Sequence, residues 1–395
     1  MSQTEVQLIK SSSVVDGDIV GMSSSKLSGA LPAISGASLT NLPSTGKAKN
    51  LVVNGAMNIA QRETSNSSIN GIGTVDRFMV IRSGVDENTT QSQVDVSAGT
   101  TPYTLGFRKA YRVTNGNQTS VGTSDYISMR YQFEAQDIAK SGWNYLSSSS
   151  YITLSFWVKS SVAQNFYGYF ETQDGTQYAY PFETGSLSAD TWTKITKTIP
   201  GNSNLTFDND SNNGLRIYIT QFWGTDKTGS VTLNQWGAYN TNLRMPNFTS
   251  TWYTTDNATF EITGVQLEVG DSATDFEHLS EGEDLRRCLR YYFKIGYGVQ
   301  YCNVAIGIMG NNTNFRATVT WPAPMRAAPT LTQSGLDVDS ETSSAPAITG
   351  FQSQYSDRFT GRIQFTCNTA NFGQGQVAQA YSGNTTSYLA GDAEL

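Results

Sequence analysis

The chain has 395 residues, with 26 lysines and arginines against 33 aspartates and glutamates, for a net charge of −7 at pH 7. Nucleic-acid binding needs concentrated positive charge, and the lack of any basic cluster excludes nucleic acid as a partner. Only 15% of the residues are charged, whereas 36 glycines and 20 tyrosines favour short strands joined by tight turns. The composition therefore predicts a mainly β protein, long enough for two or three domains.

The first twenty residues contain neither a basic start with a long apolar segment nor a small-residue cleavage site, so we expect no signal peptide. No window reaches about eighteen consecutive apolar residues, so we expect no membrane insertion. The cysteines Cys288, Cys302 and Cys367 are widely spaced. We interpret them as free thiols, with a Cys302–Cys367 bridge as the alternative. This usage is typical of a protein made in a cytoplasm and used outside it.

Residues 1–49 form a first segment rich in small residues, with Ser-Gly repeated at Ser28-Gly29 and Ser35-Gly36. Its apolar side chains are too dispersed to pack against one another: Leu27, Leu31, Ile34, Leu39 and Leu42. The segment is either a disordered linker or an extended strand that folds by wrapping around identical chains.

Residues 50–278 read as a succession of short strands separated by turn pairs such as Asn115-Gly116 and Asp174-Gly175. The clearest strand is Tyr126 to Glu134, in which apolar residues alternate with mostly polar ones, as in a sheet with one buried face. About eight antiparallel strands at this spacing predict a jelly-roll β-sandwich.

A joint follows, with a strand ending near Leu267 and a helix over residues 279–294. Ser280 and Glu283 have the spacing of a helix-capping pair. The helix is predicted to run for about fourteen residues, or roughly 20 Å, and to link two domains. Its apolar stripe is expected to provide packing at the joint: Leu285, Cys288, Leu289 and Tyr292.

Residues 295–395 return to strands and predict a second, C-terminal β-sandwich. Polar loops separate these strands, and loops on a rigid sandwich commonly carry recognition. We therefore expect exposed receptor-binding groups at Asn311, Asn312, Tyr355 and Arg358, with ordinary solvated loops as the alternative.

The sequence carries no recognisable catalytic motif. His278 is the only histidine and lies in the joint, where a surface role is favoured over that of a catalytic base. The zinc, phosphate-binding and nucleophile-elbow patterns are all missing. A pair of carboxylates suited to glycoside hydrolysis remains an alternative, because sequence does not locate such pairs.

Asp208, Asp210 and Asn212 have the one-three-five spacing of a calcium loop, but Ile219 stands where the closing glutamate belongs. We interpret the stretch as an acidic turn, with a structural calcium as the alternative, and predict no other metal or cofactor.

Aromatic residues are the main sign of sugar binding in this sequence. Sugar C–H faces pack on rings, so a platform is expected from Trp223, Trp236, Trp252 and Tyr253, with burial in the core as the alternative.

Three stretches resemble bacteriophage tail fibres. The end of their jelly-roll module is similar to GVQLEVGDSATDFE with EDLRRCLRYYFK in this chain. The opening of that module is similar to NLVVNGAMNIAQR with VDRF, and part of their C-terminal domain is similar to WPAPMRAAPT. The stretch KLSGALPAISGASLTNLP also resembles segments that join fibres to their attachment site.

This resemblance implies a homotrimeric tail fibre of a virion, held through residues 1–49 by a tail or adaptor protein, that binds bacterial surface polysaccharide such as lipopolysaccharide. A fibre that only bridges virion proteins and a polysaccharide depolymerase are the alternatives.

Overall fold

The computed structural model describes residues 49–340, 347–368 and 370–395. In these residues the protein is mainly β, built from antiparallel sheets, which confirms the predicted fold class. The expected attachment segment, with Leu27, Leu31, Ile34, Leu39 and Leu42, lies outside the described residues except for its last residue, Lys49.

The first β-rich region runs to the end of strand β12. Its strands are β1 (Ser65–Asn66), β2 (Met79–Ser83), β3 (Thr90–Asp95), β4 (Lys109–Thr114), β5 (Tyr126–Glu134), β6 (Tyr151–Ser160), β7 (Asn165–Thr172), β8 (Tyr178–Ser186), β9 (Thr193–Pro200), β10 (Asn213–Trp223), β11 (Gly237–Ala238) and β12 (Thr259–Val269). Its short helices are α1 (Thr101–Thr104), α2 (Ala135–Ala139) and α3 (Thr251–Thr254).

These strands form a two-sheet sandwich. Sheet A has the order β1-β3-β4-β12-β6-β9 and sheet B the order β11-β8-β7-β10-β5-β2. Successive strands often change sheet, as in a jelly roll. Strand β5 has the predicted bounds, and its residues Ile127, Met129, Tyr131 and Phe133 enter the same core as Phe260 and Ile262 of β12. Each such fully buried side chain contributes roughly 1.5–3 kcal/mol to stability.

Four strands of this sandwich have no counterpart in the sequence prediction: the two-residue strands β1 and β11, and the longer strands β3 and β8. Strand β3, TQSQVD, is polar on both faces, so it shows no apolar alternation. Strand β8 contains Pro181 and Gly185, which normally argue against a strand. Proline is tolerated there because β8 pairs along its length with β7 only, and its other neighbour, β11, is two residues long.

The C-terminal part comprises α4 (Glu281–Cys288), β13 (Tyr292–Ile295), β14 (Asn303–Met309), β15 (Asn314–Thr320), β16 (Thr330–Ser334), β17 (Leu336–Asp339), β18 (Ile348–Gln354), β19 (Thr360–Cys367), β20 (Val377–Ser382) and β21 (Tyr388–Asp392). A three-stranded sheet has the order β13-β21-β16, and a six-stranded sheet, called the C-terminal sheet below, has the order β17-β20-β14-β15-β19-β18.

Helix α4 is shorter than the sequence predicts. The cap is confirmed, because Ser280 Oγ accepts a hydrogen bond from the Glu283 amide at 3.3 Å. The helix nevertheless ends at Cys288, and Tyr292–Ile295 forms a strand paired with β21. Phe293 is fully buried in the C-terminal core, so packing of this aromatic run decides its conformation. The prediction of a fourteen-residue helix is therefore wrong.

The residues assigned to the joint pack within one chain. Leu285 and Cys288 contact Val53 and Ile59 of the first sandwich, whereas Leu289 packs against the C-terminal core. The guanidinium carbon of Arg62 lies 3.6 Å from the ring centre of Tyr292. The helix thus connects the first sandwich to the C-terminal part by contacts on both sides. A role for these residues between three chains stays a prediction.

All three cysteines are free thiols, as predicted, with Cys288 and Cys367 buried and Cys302 half-buried. The alternative Cys302–Cys367 bridge is therefore wrong. None of the helices in the described ranges has the length and apolarity needed to cross a membrane.

Candidate functional site

The structure buries two of the four predicted aromatic platform residues in the sandwich core. Trp252 is 0% exposed and donates its Nε1 hydrogen to Thr259 O at 3.1 Å. The hydroxyl of Tyr253 donates to Asp125 Oδ2 at 3.1 Å, and burial raises the pKa of this tyrosine. A ring without a free face does not stack on a sugar, so the expected role of these two residues is corrected to core packing.

Of the other two predicted platform residues, Trp223 is buried and Trp236 is half-buried. Trp223 is buried on the outer face of sheet B, stacked on Tyr126 with ring centres 4.6 Å apart and covered by the Arg244 guanidinium at 4.6 Å. Trp236 is half-buried and donates its Nε1 hydrogen to Pro200 O at 2.7 Å. The expected role of Trp223 is therefore corrected to packing, whereas a role of Trp236 in sugar binding stays a prediction.

The predicted receptor loops of the C-terminal part lie at opposite ends of its sheet. Asn311 and Asn312 are in the turn before β15, and Tyr355 and Arg358 are in the turn before β19. Because Asn314 pairs with Thr366 and Thr320 with Thr360, the two turns are separated by the length of β15, about 20 Å. The structure does not bring them into one site.

Each of these loop residues is exposed, as expected, and two of them are tied to their own loops. Asn311 Oδ1 accepts hydrogen bonds from the amides of Thr313 and Asn314, and Arg358 donates from Nε to Met325 O at 2.8 Å. Tyr355 is 83% exposed. Their role in receptor binding stays a prediction.

The acidic stretch near residue 210 forms a turn held by its own polar groups. Asp210 accepts hydrogen bonds from the amide and the side chain of Asn212, and the Asp208 amide donates to Asp174 Oδ2 at 3.0 Å. In the described ranges, no group of three or more histidine, cysteine or acidic residues is arranged to hold a metal. A structural calcium here stays a prediction.

An open cleft lies on the outer face of sheet A, with a volume of about 300 Å³. It is lined by Leu105, Phe107, Ser155, Trp157, Lys194, Gly264, Thr274, Asp275, Phe276 and His278. Residues from β6, β9 and β12 therefore meet segments that precede β4 and follow β12. We call this feature the sheet A cleft.

One wall of the sheet A cleft is aromatic. The ring centre of Phe107 lies 4.9 Å from that of Phe276 and 5.0 Å from that of His278, and the rings of Phe276 and His278 are 4.9 Å apart. His278 Nε2 is 2.9 Å from Leu105 O, which orients the imidazole. Trp157 also lines the cleft and remains half-buried. Phe107 is 2% exposed and supports the wall from behind, whereas Phe276 and Trp157 are half-buried and His278 is exposed, so these three rings form the part of the wall that solvent reaches.

Polar groups border this surface. Ser155 and Trp157 project outward from β6, and Lys194 lies opposite Trp157 on β9. Lys194, Thr274 and Asp275 are exposed. Asp275 is the one carboxylate among the cleft-lining residues, so the cleft does not contain the two facing carboxylates that glycoside hydrolysis uses.

A glycine in β12 shapes the floor of the cleft. Gly264 has φ = +61° and lies where the pairing of β12 with β6 shifts register between Thr263 and Gln266. A Cβ added there would lie 2.5 Å from Phe107 Cζ. The bulge therefore needs glycine both for its left-handed conformation and for the position of the Phe107 ring.

An ion triad centred on the buried Glu261 crosses sheet A beside the cleft. Glu261 is 2% exposed, and its carboxylate lies 2.7 Å from Arg112 Nη2 and 2.9 Å from Lys159 Nζ. The same Lys159 Nζ lies 5.2 Å from the ring centre of Trp192. The triad links side chains on the three adjacent strands β4, β12 and β6 on the outer face of the sheet.

The sequence contains a signal for this site that the prediction overlooked. In β6 the even-numbered residues from Ile152 to Val158 are apolar and enter the core. Trp157 belongs to the odd-numbered set and shares its face with Thr153, Ser155 and Lys159. The tryptophan on the polar face of an otherwise regular strand was the sequence feature that could have drawn attention to this face.

The fold defined by sheets A and B is a two-sheet antiparallel β-sandwich. The structure is similar to the enzymatically active domain of tailspike protein 4 from bacteriophage CBA120, with 9% identity, a TM-score of 0.30, and coverage of 56% of this chain and 22% of that chain. It is also similar to a structure of CBM4, with 13% identity, a TM-score of 0.27, and coverage of 55% and 98%.

A third similar structure is the family 11 carbohydrate-binding module of Clostridium thermocellum in complex with a β-1,3-1,4-mixed-linked tetrasaccharide. The identity is 14%, the TM-score is 0.23, and the match covers 54% of this chain and 98% of that chain. No family model matches the sequence, and no curated protein matches it. At these TM-scores the similarities do not determine what this protein binds.

Proposed function

We propose that this protein binds polysaccharide in the sheet A cleft without cleaving it, and that it does so as a phage tail fibre that attaches the virion to bacterial surface lipopolysaccharide. The observation that carries the proposal is the open cleft itself, in which the half-buried rings of Trp157 and Phe276 lie beside exposed polar groups. The sequence resemblance to tail fibres supports the biological setting.

The chemistry of the cleft fits a sugar ring. The C–H face of a hexose packs on an aromatic ring, and hydroxyl groups bond to polar side chains at the edge of the ring. Asp275 accepts from hydroxyls, Lys194 donates to them, and Thr274 does both. The single carboxylate in the cleft favours binding over hydrolysis.

In this proposal the fibre is a homotrimer held at the virion by residues 1–49. A single sugar site of millimolar affinity is worth about 4 kcal/mol. Linked sites gain roughly 10²- to 10⁴-fold in avidity without new contacts, so three weak clefts suffice for stable adsorption.

The test measures adsorption of the full-length protein to a panel of purified lipopolysaccharides and to the bacteria they come from. Trp157→Ala is expected to weaken binding by about tenfold per site, the equivalent of roughly 1.4 kcal/mol. Tyr355→Ala tests the rival site, because it removes an exposed aromatic ring from the C-terminal loop that the sequence predicts to bind the receptor.

The outcomes separate the alternatives. Loss of binding by Tyr355→Ala with retention by Trp157→Ala would move the receptor site to the C-terminal loops. No binding by the wild-type protein to any lipopolysaccharide or cell would leave only a bridging role. Shortening of the polysaccharide during incubation, seen in gel profiles, would show hydrolysis and contradict the non-enzymatic part of the proposal.

A further inference from the structure

Trp192 directly precedes strand β9 and lies beside the sheet A cleft without lining it. The register of β6 with β9 pairs Trp157 with Lys194, and the same register continued by two residues places Lys159 opposite Trp192. The contact between the last two side chains agrees with this position, because Lys159 Nζ lies 5.2 Å from the ring centre of Trp192. Two tryptophans and two lysines therefore alternate on the outer face of sheet A.

The two tryptophans share one apolar surface. Both are half-buried, and both pack against the same small apolar cluster, which contains Phe107. Trp157 and Trp192 are diagonal neighbours on adjacent strands, and such residues are about 7–8 Å apart. Two linked sugar rings span this distance, so a polysaccharide that packs on Trp157 reaches Trp192 with its next sugar.

The lysines bring excess positive charge to the same place. Arg112 and Lys159 share the single carboxylate of Glu261, so one positive charge of this triad is uncompensated. The Lys159 side chain is 20% exposed and therefore remains within reach of a ligand. Lys194 is exposed and makes no ion pair with any residue in the described ranges.

The acidic residues near this face do not cancel the charge. Asp190 lies in the turn before β9 and adds one exposed carboxylate. Asp275 lies at the other end of the cleft, because its carbonyl oxygen accepts from Gln266 Nε2 at 3.4 Å and Gln266 pairs with Ser155. At the Lys159 end, three cations therefore stand against two carboxylates.

We propose that the sheet A cleft extends over Trp192 and that this extension binds a sugar carrying an anionic group, either a carboxylate or a phosphate. Binding there rests on the proposed function, because the extension belongs to the same cleft. What it adds is the class of ligand, an acidic polysaccharide, and a second aromatic platform.

The geometry gives each side chain a separate role. The acidic sugar packs its ring on Trp192, and its anionic group lies between Lys159 and Lys194, which flank that ring on β6 and β9. A hydrogen bond from an ammonium group to an anion is roughly twice as strong as one between neutral groups. Glu261 already holds Lys159 in place, so this lysine loses little conformational freedom when the ligand binds.

The test uses the full-length protein and the lipopolysaccharide that it binds best, in native, carboxyl-reduced and dephosphorylated forms. Binding by the wild-type protein is expected to fall at least tenfold in the form that lacks the recognised anionic group. The form that loses binding shows whether a carboxylate or a phosphate is recognised. Binding of the native form is also expected to weaken as the salt concentration rises.

Three variants separate the charge from the ring. Lys194→Gln is expected to weaken binding of the native form about fivefold and to leave binding of the neutralised form unchanged, because it removes only a charge. Trp192→Ala is expected to weaken binding of both forms about tenfold. Lys140→Gln is the matched control, since it removes an exposed lysine at the end of α2, outside the cleft, and is expected to change neither.

The outcomes distinguish this proposal from the proposed function. Equal binding of all three forms by the wild-type protein, or unchanged binding by Lys194→Gln, would overturn the acidic class of ligand. If Trp157→Ala still weakened binding in that case, the proposed function would stand. No binding of the wild-type protein to any lipopolysaccharide would overturn both. Far-UV circular dichroism checks the fold of each variant, and the exposed position of Lys194 keeps the test decisive if Trp192→Ala does not fold.

Discussion

The carboxylate of Glu134, at the end of β5, accepts hydrogen bonds from Nε and Nη2 of Arg290 at 2.6 Å each. Arg290 follows helix α4, 156 residues further along the chain. The hydroxyl of Tyr291 donates to the same carboxylate at 2.7 Å, and these donors, with Gln136, hold the pKa of Glu134 below its usual range despite burial. The ion pair therefore fastens the C-terminal part to sheet B.

We expect Glu134→Gln to destabilise the protein by about 3 kcal/mol, because it leaves the Arg290 charge half-buried without its partner. Glu283→Gln is the matched control, since it breaks an exposed pair with Arg286 and is expected to cost less than about 1 kcal/mol. Chemical denaturation monitored by tryptophan fluorescence measures both. Equal losses for the two variants would contradict a special role for the Glu134–Arg290 pair.

Leu289 offers a separate test of the junction. Its side chain packs against the core of the C-terminal part directly after α4. Leu289→Asp is expected to separate the C-terminal part from the first sandwich, because it places a charge in an apolar contact. Limited proteolysis is expected to cut near residue 290 much faster than in the wild type.

Leu146→Asp is the control for this experiment, since Leu146 is 51% exposed in a loop of the first sandwich. It is expected to leave the proteolysis pattern unchanged. If Leu289→Asp resisted protease as well as the wild type does, Leu289 would not hold the junction.

Sequence patterns predicted the parts of the fold that depend on local alternation and capping. Strand β5 alternates strictly and has the predicted bounds, and Ser280 caps α4 as its spacing indicates. Strand β3 has no such pattern. Its position depends instead on hydrogen bonds between its glutamine side chains and residues outside the strand. For example, Tyr111 donates its hydroxyl hydrogen to Gln91 Oε1 at 2.8 Å.

The candidate site was harder to predict, because the presence of a tryptophan in the sequence does not show whether its ring is exposed. Trp252 lies in a polar stretch and Trp157 in a strand rich in apolar residues, yet Trp252 is in the core and Trp157 lines the sheet A cleft. The cleft also depends on Phe107 and Phe276, which are distant in sequence and meet only when β4 and β12 pair. Sequence spacing carries no information about such contacts.

Gly264 links the fold to the proposed site. Gly264→Ala is expected to destabilise the protein by roughly 1–3 kcal/mol, since the new Cβ would contact Phe107 and strain a left-handed residue. It is also expected to weaken polysaccharide binding, because the Phe107 ring must move into the cleft. Thermal unfolding and adsorption measure the two effects.

Gly282→Ala is the matched glycine control. Gly282 lies in α4, and a Cβ there would meet no atom within 4 Å. Alanine is expected to stabilise the helix by up to about 1 kcal/mol and leave binding unchanged. Unchanged stability of Gly264→Ala would show that the bulge tolerates a side chain.

The free energy of unfolding is expected to depend on pH through the buried carboxyl group of Asp76. Burial raises the pKa of Asp76 to about 7 from its usual 3.8, although Arg62 and Gln61 favour the charged form. Between these two values the folded protein binds more protons than the unfolded chain. The free energy of unfolding therefore falls as pH rises from about 4 to about 7, by up to about 1.4 kcal/mol per pH unit.

Asp76→Asn removes this titration. Its stability relative to the wild type is expected to rise between pH 4 and pH 7 and to stay constant above pH 7, as measured by urea denaturation at several pH values. Asp95→Asn, at a side chain that is 82% exposed, is expected to show a difference within about 0.5 kcal/mol throughout. If the wild type instead gained stability over Asp76→Asn as pH rose, the attraction of Arg62 for the Asp76 carboxylate would outweigh the cost of its burial.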